Sequence, residues 1–257
     1  MIDGHIHFEK QPYTLEVVEN MVKTAMEKGI DEIWLLDHTH KFKEFSFLYQ
    51  NLKEDLTKKW YLKKTPISIW EYIEFIGYIK SKKWPINIKF GLEICYFPES
   101  EDKLRKMLDT LPKFDFLIGS VHFEFGTAID IRKELQDRFN IAELYIEYFN
   151  IQKKAVRSRL FDVIGHPDAI KQYGNYPDRE LYLQLIEEFA EELSKNNQMV
   201  ENNSGLMRHG FPYGGMSEDM LRIFEIYNIK YHRSSDAHVY QDIGRAFSTL
   251  KENLSNT

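Results

Sequence analysis

Residues 2–8 read IDGHIHF and place two histidines one residue apart inside an apolar segment. In a β-strand alternate side chains point to the same face, so this spacing predicts that His5 and His7 share a face. Two imidazoles on one face can bind one metal ion, with zinc–nitrogen bonds of about 2.0–2.1 Å. In a helix the same arrangement would need a spacing of four residues. The stretch therefore predicts a strand that carries part of a metal site.

The rest of the chain alternates short apolar, β-branched segments with longer amphipathic ones. The strand candidates are residues 1–8, 32–37, 86–96, 116–123, 162–166, 198–202 and 230–236. The helix candidates are residues 14–28, 66–82, 99–110, 142–159, 178–195 and 217–227. Gly29 is a good stop for the first helix, and Ser217 is a good N-cap for the last. This alternation predicts a parallel sheet, and seven strands predict a closed or nearly closed α/β barrel.

The composition is that of an ordinary globular protein, with 43% hydrophobic and 29% charged residues. No apolar segment approaches the roughly 18 residues of a membrane span, and the first residues lack the features of a signal peptide. The single cysteine, Cys95, leaves no disulfide framework and fits a reducing cytoplasm. With a net charge of -6 and no dense Lys/Arg cluster, nucleic acid is not an expected partner. We expect one cytoplasmic domain over residues 1–257, without a membrane partner.

Histidines recur at, or just beyond, the C-terminal ends of the predicted strands. These histidines are His5, His7, His38, His122, His166 and His238. Glu93 and Asp236 fall at the ends of two predicted strands. In a parallel barrel these ends open onto one face, where barrel active sites lie. The sequence thus predicts that His, Glu and Asp side chains converge at one mouth of the barrel.

The alternative is that each histidine is a structural residue, which is the commoner role of a lone histidine. His232 fits this role, and so does His40 in a loop, although it lies close to His38. The alternative fails for the set as a whole. Imidazoles buried together repel when they are protonated and leave nitrogens unsatisfied when they are neutral. A divalent cation such as zinc, iron or manganese accepts those lone pairs, so the set favours a metal cluster.

The motifs DGHIH, DH, GLE, SVHF, GHPD and SDAH resemble, in order and spacing, those of the polymerase and histidinol phosphatase (PHP) family. The resemblance runs from Asp3 to His238. The stretches FLIGSVHF, FDVIGHPDAIKQY and VENNSGLMRHGFPYGG, followed by SSDAH, resemble the monofunctional histidinol-phosphatase branch in particular. The resemblance implies a distorted seven-stranded TIM-like barrel, two or three divalent metal ions (Zn, Fe or Mn), and a place in histidine biosynthesis.

The resemblance also implies how the ligands divide among the ions. The first ion would be held by His5, His7, Glu93 and Asp236. Glu93 would bridge to a second ion, which is completed by His122 and His166. A third would be held by His38 and His238. Many family members place another histidine or acid after the first motif, but here the chain reads FEKQPYTLE; Glu9, Tyr13 and His40 are the candidate substitutes.

A cluster of this kind suits hydrolysis of a phosphate ester by a metal-activated hydroxide. Asp236 is a candidate acceptor of the proton of the attacking water, and His209 or Asp168 is a candidate neighbour of the leaving group. Arg208 is the best candidate for phosphate binding, since its planar fork suits bidentate contacts and glycines mark its surroundings as a loop. The weaker candidates are Lys171 and Arg233.

Three further residues lie near these motifs. We expect Asp3 to share a strand face with His5, where it either orients a histidine N–H, the role that we favour, or forms part of the barrel floor. Asp37 alternates with His38 and should point away from the site. Cys95 is expected to be a core residue without a chemical role.

The leading hypothesis is a metal-dependent phosphomonoester hydrolase that converts L-histidinol phosphate to L-histidinol and phosphate. The alternatives are a PHP phosphatase or phosphodiesterase acting on another ester, such as a nucleotide or phosphoprotein, and a non-enzymatic assembly module. The nearly complete ligand set and the absence of a polymerase region within 257 residues speak against the module. The NNSGLMRHG loop and the long segment 40–85 are expected to shape the pocket and select the substrate.

Overall fold

The strands follow the order of a parallel β/α architecture. The computed structural model describes residues 1–128, 133–209 and 214–253. Its strands are β1 (Ile2–His7), β2 (Glu32–His38), β3 (Asn87–Cys95), β4 (Phe116–Ser120), β5 (Phe123–Glu124), β6 (Thr127–Ala128), β7 (Val163–Ile164), β8 (Met199–Asn203) and β9 (Tyr231–Ser234). Within these residues β5 and β6 form an antiparallel hairpin, and the other seven strands form one parallel sheet in the order β1-β2-β3-β4-β7-β8-β9.

The two edge strands of this sheet, β1 and β9, approach each other and nearly close it into a barrel. Just beyond β9, Ala237 forms a parallel bridge with Ile6, and its carbonyl accepts a hydrogen bond from the His7 amide at 2.8 Å. The seven-stranded barrel predicted from the sequence is therefore confirmed. Several strands are shorter than predicted: at β7, for example, residues 162–166 are reduced to Val163–Ile164.

Helices cover the outside of the barrel. They are α1 (Leu15–Glu27), α2 (Asp55–Leu62), α3 (Ile69–Lys80), α4 (Glu101–Asp109), α5 (Lys133–Gln136), α6 (Ile141–Ser158), α7 (Arg179–Asn196) and α8 (Glu218–Ile226). The Ser217 hydroxyl accepts a hydrogen bond from the Met220 amide, which confirms the predicted N-cap of α8. α2 and the short α5 lie outside the predicted helical segments. Across the described ranges, no helix combines the length and the apolar character that crossing a membrane requires.

Apolar side chains fill the barrel beneath the strand ends. The buried residues that pack together there are Trp34, Leu36, Phe116, Ile118 and Val163. This cluster is separate from the larger core between the sheet and the helices. Continuing the alternation along β2 places His38 on the same interior side. The polar strand ends therefore stand above an apolar floor.

A bulge in β1 changes which of its side chains face the interior. Asp3 pairs with Ile33 while Ile6 pairs with Leu35, so β1 has one residue more than β2 between these two pairs. The bulge breaks the strict alternation that would put Asp3 on the face of His5.

The expectation for Asp3 is therefore wrong. Its carboxylate accepts hydrogen bonds from the Ser235 amide at 2.9 Å and from the Gly244 amide at 2.8 Å. Asp3 holds the loop after β9, which carries Asp236, instead of orienting a histidine ring.

Candidate metal centre

Glu93, near the end of β3, lies at the centre of a group of buried imidazoles. Its Oε2 atom lies 2.9 Å from His38 Nδ1, 3.2 Å from His5 Nε2 and 3.3 Å from His7 Nε2. The Nε2 atoms of His5 and His7 are 2.9 Å apart. Because β1, β2 and β3 are neighbours in the sheet, they bring together side chains that are distant in sequence.

The other oxygen of Glu93 faces two histidines that follow β4 and β7. Glu93 Oε1 lies 3.0 Å from His166 Nε2 and 3.3 Å from His122 Nε2, and these two nitrogens are 3.1 Å apart. His166 has a φ of 25°, a backbone conformation that residues other than glycine rarely adopt. The Glu93 carboxylate thus lies between two sets of imidazoles.

The loop after β9 adds Asp236 and His238 to the cluster. Asp236 Oδ1 lies 3.3 Å from His7 Nε2 and 3.4 Å from His238 Nδ1. The His7 ring lies between those of His38 and His238, with centroid distances of 4.3 Å to each. Asp236 also has a positive φ, of 51°, so unusual backbone geometry occurs at two positions of the cluster.

Three overlapping groups of donors in the described part of the chain have the geometry of metal sites, with all donor atoms of a group within 4.8 Å of one another. They are His5, His7 and Glu93; Glu93, His122 and His166; and His7, His38 and His238. Nitrogens bound to one zinc ion in a tetrahedron lie about 3.3 Å apart, which is close to the separations found here. The donor set therefore fits divalent cations; Asp236 belongs to none of these three groups, and the third includes His7 beside His38 and His238.

Charge and burial leave these donors ready to bind a cation. Burial by itself raises the pKa of Glu93, but His38 and His5 hold that pKa well below its usual value. Burial, together with repulsion from His238 and His38, lowers the pKa of His7 to about 3. A charged carboxylate beside a neutral imidazole offers the lone pairs that a divalent ion needs.

A cavity of about 190 Å³ lies above the cluster. Trp60 and Lys64, from the segment between β2 and β3, line one wall, and Leu206 and Arg208, from the loop after β8, line another. Arg208 Nη1 lies 2.6 Å from His238 Nδ1 and donates to the Asp236 carbonyl oxygen. The two segments expected to shape the pocket both line it, and Arg208 is placed at the metal cluster.

The structure does not bring the other two predicted phosphate-binding residues to this cavity. Lys171 is buried, lies 2.7 Å from Asp168 Oδ2 and donates to the Gly215 carbonyl. Arg233 pairs with Glu252 at 3.1 Å and donates to the Phe247 carbonyl at 3.0 Å. Lys171 thus joins the segment after β7 to the loop after β8, and Arg233 joins β9 to the segment that follows it.

Among the candidate substitutes for the missing ligand, Glu9 lies closest to the cluster. Its Oε2 atom is 3.0 Å from His238 Nε2, and its Oε1 atom is 3.0 Å from Lys64 Nζ and 3.4 Å from His40 Nε2. His40 stacks on His38, with ring centroids 4.7 Å apart.

Tyr13, the remaining substitute, is directed away from the cluster. Its hydroxyl donates to Asp37 at 2.6 Å. Asp37 also accepts a hydrogen bond from Lys41, so it points away from the metal groups as expected.

The catalytic candidates have different outcomes. Asp168 lines the cavity, but its carboxylate is engaged by Lys171 and by the Ser217 amide at 2.9 Å. His209 ends a short 3-10 segment, Gly205–His209, and its side chain lies outside what the structure describes.

Cys95 is buried as expected, yet its Sγ atom lies 3.2 Å from His122 Nδ1, so it contacts the cluster.

His232 lies deeper in the barrel, outside the three donor groups, in agreement with a structural role. Its ring is 4.9 Å from that of Trp34, and neither ring nitrogen has a hydrogen-bond partner among the described residues. A Cβ at Gly4 would lie 2.1 Å from His232 Nε2, which explains the glycine in DGHIH.

Sequence reasoning missed Glu201, Asn203 and Lys64. Glu201 is fully buried on β8 and contacts the ring of His5. It lies inside the predicted strand 198–202, and alternation with Asn203 could have placed both in the barrel interior. Lys64 lies in an insert with no motif to mark it.

Comparison with known proteins matches a family to the part of the chain that contains most of these residues. A model of the PHP domain family matches residues 3–205. The chain belongs to the PHP domain family. The match spans the first two donor groups together with His38.

Relatives of this PHP domain match it over nearly their full length. The histidinol-phosphatase of Bacillus subtilis is 25% identical over 273 residues, covering 97% of this chain and 98% of its own. A structure from Listeria monocytogenes, described as a candidate histidinol phosphatase, has a TM-score of 0.79 at 22% identity, covering 98% and 100%. The histidinol phosphate phosphatase of Lactococcus lactis, solved with zinc, L-histidinol and phosphate, has a TM-score of 0.68 at 19% identity, covering 96% and 91%. These structures share the fold.

Proposed function

We propose that this PHP domain is a metal-dependent phosphomonoesterase that hydrolyses L-histidinol phosphate to L-histidinol and phosphate. The observation that carries the proposal is the set of three overlapping donor groups around Glu93 and His7, at the mouth of the barrel and beneath a cavity. The name of the Bacillus subtilis relative and the ligands of the Lactococcus lactis structure support the choice of substrate.

We assign two or three divalent ions, zinc, iron or manganese, to the donor groups. His5, His7, Glu93 and Asp236 would hold the first, Glu93, His122 and His166 the second, and His38 and His238, with Glu9 as the added acid, the third. Such ions acidify a water molecule and offset the charge of the phosphate in the transition state. The donor geometry supports this assignment, and His40 remains close enough to hold Glu9 in place.

The protein residues supply orientation and charge. Arg208 lines the cavity beside His238, which supports a role in binding phosphate oxygens through its planar guanidinium. Asp236 lines the same cavity, which supports a role in accepting the proton of the attacking water. Lys64 adds a second cation, which Glu9 partly neutralises at 3.0 Å.

The cavity favours a small phosphomonoester over the larger alternatives. At about 190 Å³ it lies below the usual size of drug-sized ligand pockets, roughly 300–1,000 Å³. Trp60 and Phe123 offer aromatic surface beside the polar cluster, which suits a small ring such as imidazole. A phosphoprotein segment or a phosphodiester would need a longer groove.

The test is phosphate release by zinc-, manganese- and iron-loaded protein from histidinol phosphate, a nucleoside monophosphate, a phosphotyrosine peptide and a phosphodiester. We expect the highest kcat/KM for histidinol phosphate and complete loss of turnover after chelation. Preference for another ester would overturn the substrate assignment, and metal-independent turnover would overturn the mechanism.

Arg208→Ala gives a second test of the site. We expect KM for histidinol phosphate to rise at least tenfold, equivalent to the loss of one charge-assisted contact of about 1.4 kcal/mol. Arg222→Ala, at an exposed residue of α8, is the control and should leave KM unchanged. An unaltered KM in Arg208→Ala would remove this residue from phosphate binding.

A further inference from the structure

Glu201, on β8, contacts two parts of the metal cluster at once. Its carboxylate oxygens lie 3.1 Å and 3.0 Å from His5 Nδ1. Its Oε1 atom also accepts hydrogen bonds from the His166 amide at 2.7 Å and from Asn203 Nδ2 at 3.1 Å. His5 and His166 belong to different donor groups. A single buried carboxylate therefore joins the first group to the second.

The second ring nitrogen of His5 shows why this contact matters. His5 Nε2 points into the cluster, 2.9 Å from His7 Nε2 and 3.2 Å from Glu93 Oε2. A neutral imidazole carries its proton on one nitrogen and its lone pair on the other. When Nδ1–H donates to Glu201, the lone pair is left on Nε2, where a metal ion would be bound.

We propose that Glu201 is a positioning residue that fixes the Nδ1–H tautomer and the ring orientation of His5 while it holds the backbone of His166. The inference rests on the proposed metal-dependent function and adds a residue outside the donor groups. The anchored amide belongs to a residue with a φ of 25°, so the same hydrogen bond stabilises a backbone conformation that is otherwise unfavourable.

Glu201→Gln is a sharp test because an amide cannot satisfy all these donors. If its NH₂ group takes the place of Oε2, an N–H donor faces His5 Nδ1 and favours the tautomer with the ring proton on Nε2, which then cannot bind a metal, while the remaining oxygen is already shared by the His166 amide and Asn203. If the NH₂ group faces His166 and Asn203, donors are placed against donors. Either orientation should weaken zinc binding at least tenfold, as changes to residues behind a metal ligand commonly do. Glu201→Asp keeps both acceptor oxygens and should recover part of the affinity.

The control is Glu124→Gln, which makes the same glutamate-to-glutamine change at a second buried position. Glu124 lies on the β5–β6 hairpin, and neither of its oxygens has a hydrogen-bond partner in the described part of the chain. This variant should keep the wild-type zinc affinity within about twofold, so a loss in Glu201→Gln would not be a general effect of replacing a buried glutamate by glutamine.

The experiment measures zinc dissociation constants by competition with a chelator and the ring tautomer of His5 by long-range ¹H–¹⁵N NMR of the zinc-loaded protein. We expect Nδ1–H in the wild type, a weakened site in Glu201→Gln and partial recovery in Glu201→Asp. Two results would overturn the role of Glu201 and leave the proposed function intact, provided that the wild type binds zinc. One is an Nε2–H tautomer at His5, and the other is an unchanged zinc affinity in Glu201→Gln. A wild-type protein that binds no metal would overturn this role together with the proposed function. The wild-type NMR measurement decides the tautomer even if a variant fails to fold.

Discussion

At the scale of single residues, Gly4 connects the opening motif to the barrel interior. Its neighbour His232 comes from β9 and fills the space that a side chain at position 4 would need, with Nε2 and Cδ2 2.1 Å and 2.2 Å from an added Cβ. The bulge in β1 brings Gly4 and His5 into this crowded region. The glycine thus allows the metal-binding strand to pass over a buried ring.

Gly4→Ala is therefore expected to destabilise the fold by about 1–3 kcal/mol, the usual range for overpacking a core. Urea unfolding measures the change. Gly77→Ala, in α3, is the matched control: an added Cβ meets no atom within 4 Å there, and the substitution should stabilise the helix by about 0.5–1 kcal/mol. In a His232→Ala background the cost of Gly4→Ala should shrink. If it does not, contact with the His232 ring is not the cause.

Glu124 gives a residue-scale prediction about pH. Burial, and next Glu147, raise its pKa well above the usual value. Between the ordinary carboxyl pKa of about 4.5 and the raised value, the folded protein binds more protons than the unfolded chain, so stability falls as pH rises. Relative to Glu124→Gln, the wild type should lose about 1.4 kcal/mol per pH unit in this range. Parallel stability curves for the two proteins between pH 5 and 7 would contradict the raised pKa.

At the scale of elements, the sequence pattern predicted that the donor side chains lie at strand ends, but it did not predict the face of every side chain. The ends of β1, β2 and β3 carry His7, His38 and Glu93 near where alternation and barrel topology place them. The bulge that turns Asp3 away depends on pairing with β2, which local pattern does not encode. Similarly, the position of Lys171 in a loop does not predict whether its side chain points to a cavity or to Asp168.

The insert between β2 and β3 shows the same limit. Its α2 helix carries no motif, yet it places Trp60 against the cavity, with its ring centroid 5.0 Å from that of His40. Only the folded chain reveals that this helix covers the site. The side chains of the donor groups were predictable because few residue types can bind a metal ion, whereas the pocket wall can be built from many residues.

Trp60→Ala should therefore affect substrate binding more than chemistry. We expect KM for histidinol phosphate to rise by about two- to tenfold, since an aromatic contact contributes roughly 0.5–1.5 kcal/mol, with kcat changed by less than about twofold. Leu62→Ala, on the same helix at a residue that is 78% exposed, is the control and should behave as wild type. Steady-state kinetics separates the two parameters. A fall in kcat at constant KM would argue that α2 acts on the reacting groups instead.

At the scale of the whole molecule, one buried carboxylate, that of Glu93, contacts residues from several strands of the barrel. The carboxylate of Glu93 lies within 3.3 Å of imidazole nitrogens of five histidines, which belong to β1, β2 and the segments after β4 and β7. A metal bound there would bind the folded chain and not the unfolded one, so its binding free energy stabilises the fold.

Removal of metal should therefore lower the melting temperature as well as abolish turnover. At a free metal concentration 100 times the dissociation constant, one ion contributes about 2.7 kcal/mol, which corresponds to roughly 5–10 °C for a chain of this size. Calorimetry before and after dialysis against a chelator measures the shift, and returning zinc should restore it. His122→Ala removes a ligand of the second group only, so its shift should be smaller than that of the wild type but greater than zero. Equal melting temperatures with and without metal would mean that the cluster forms independently of any ion, and that the imidazoles around Glu93 are held by the fold alone.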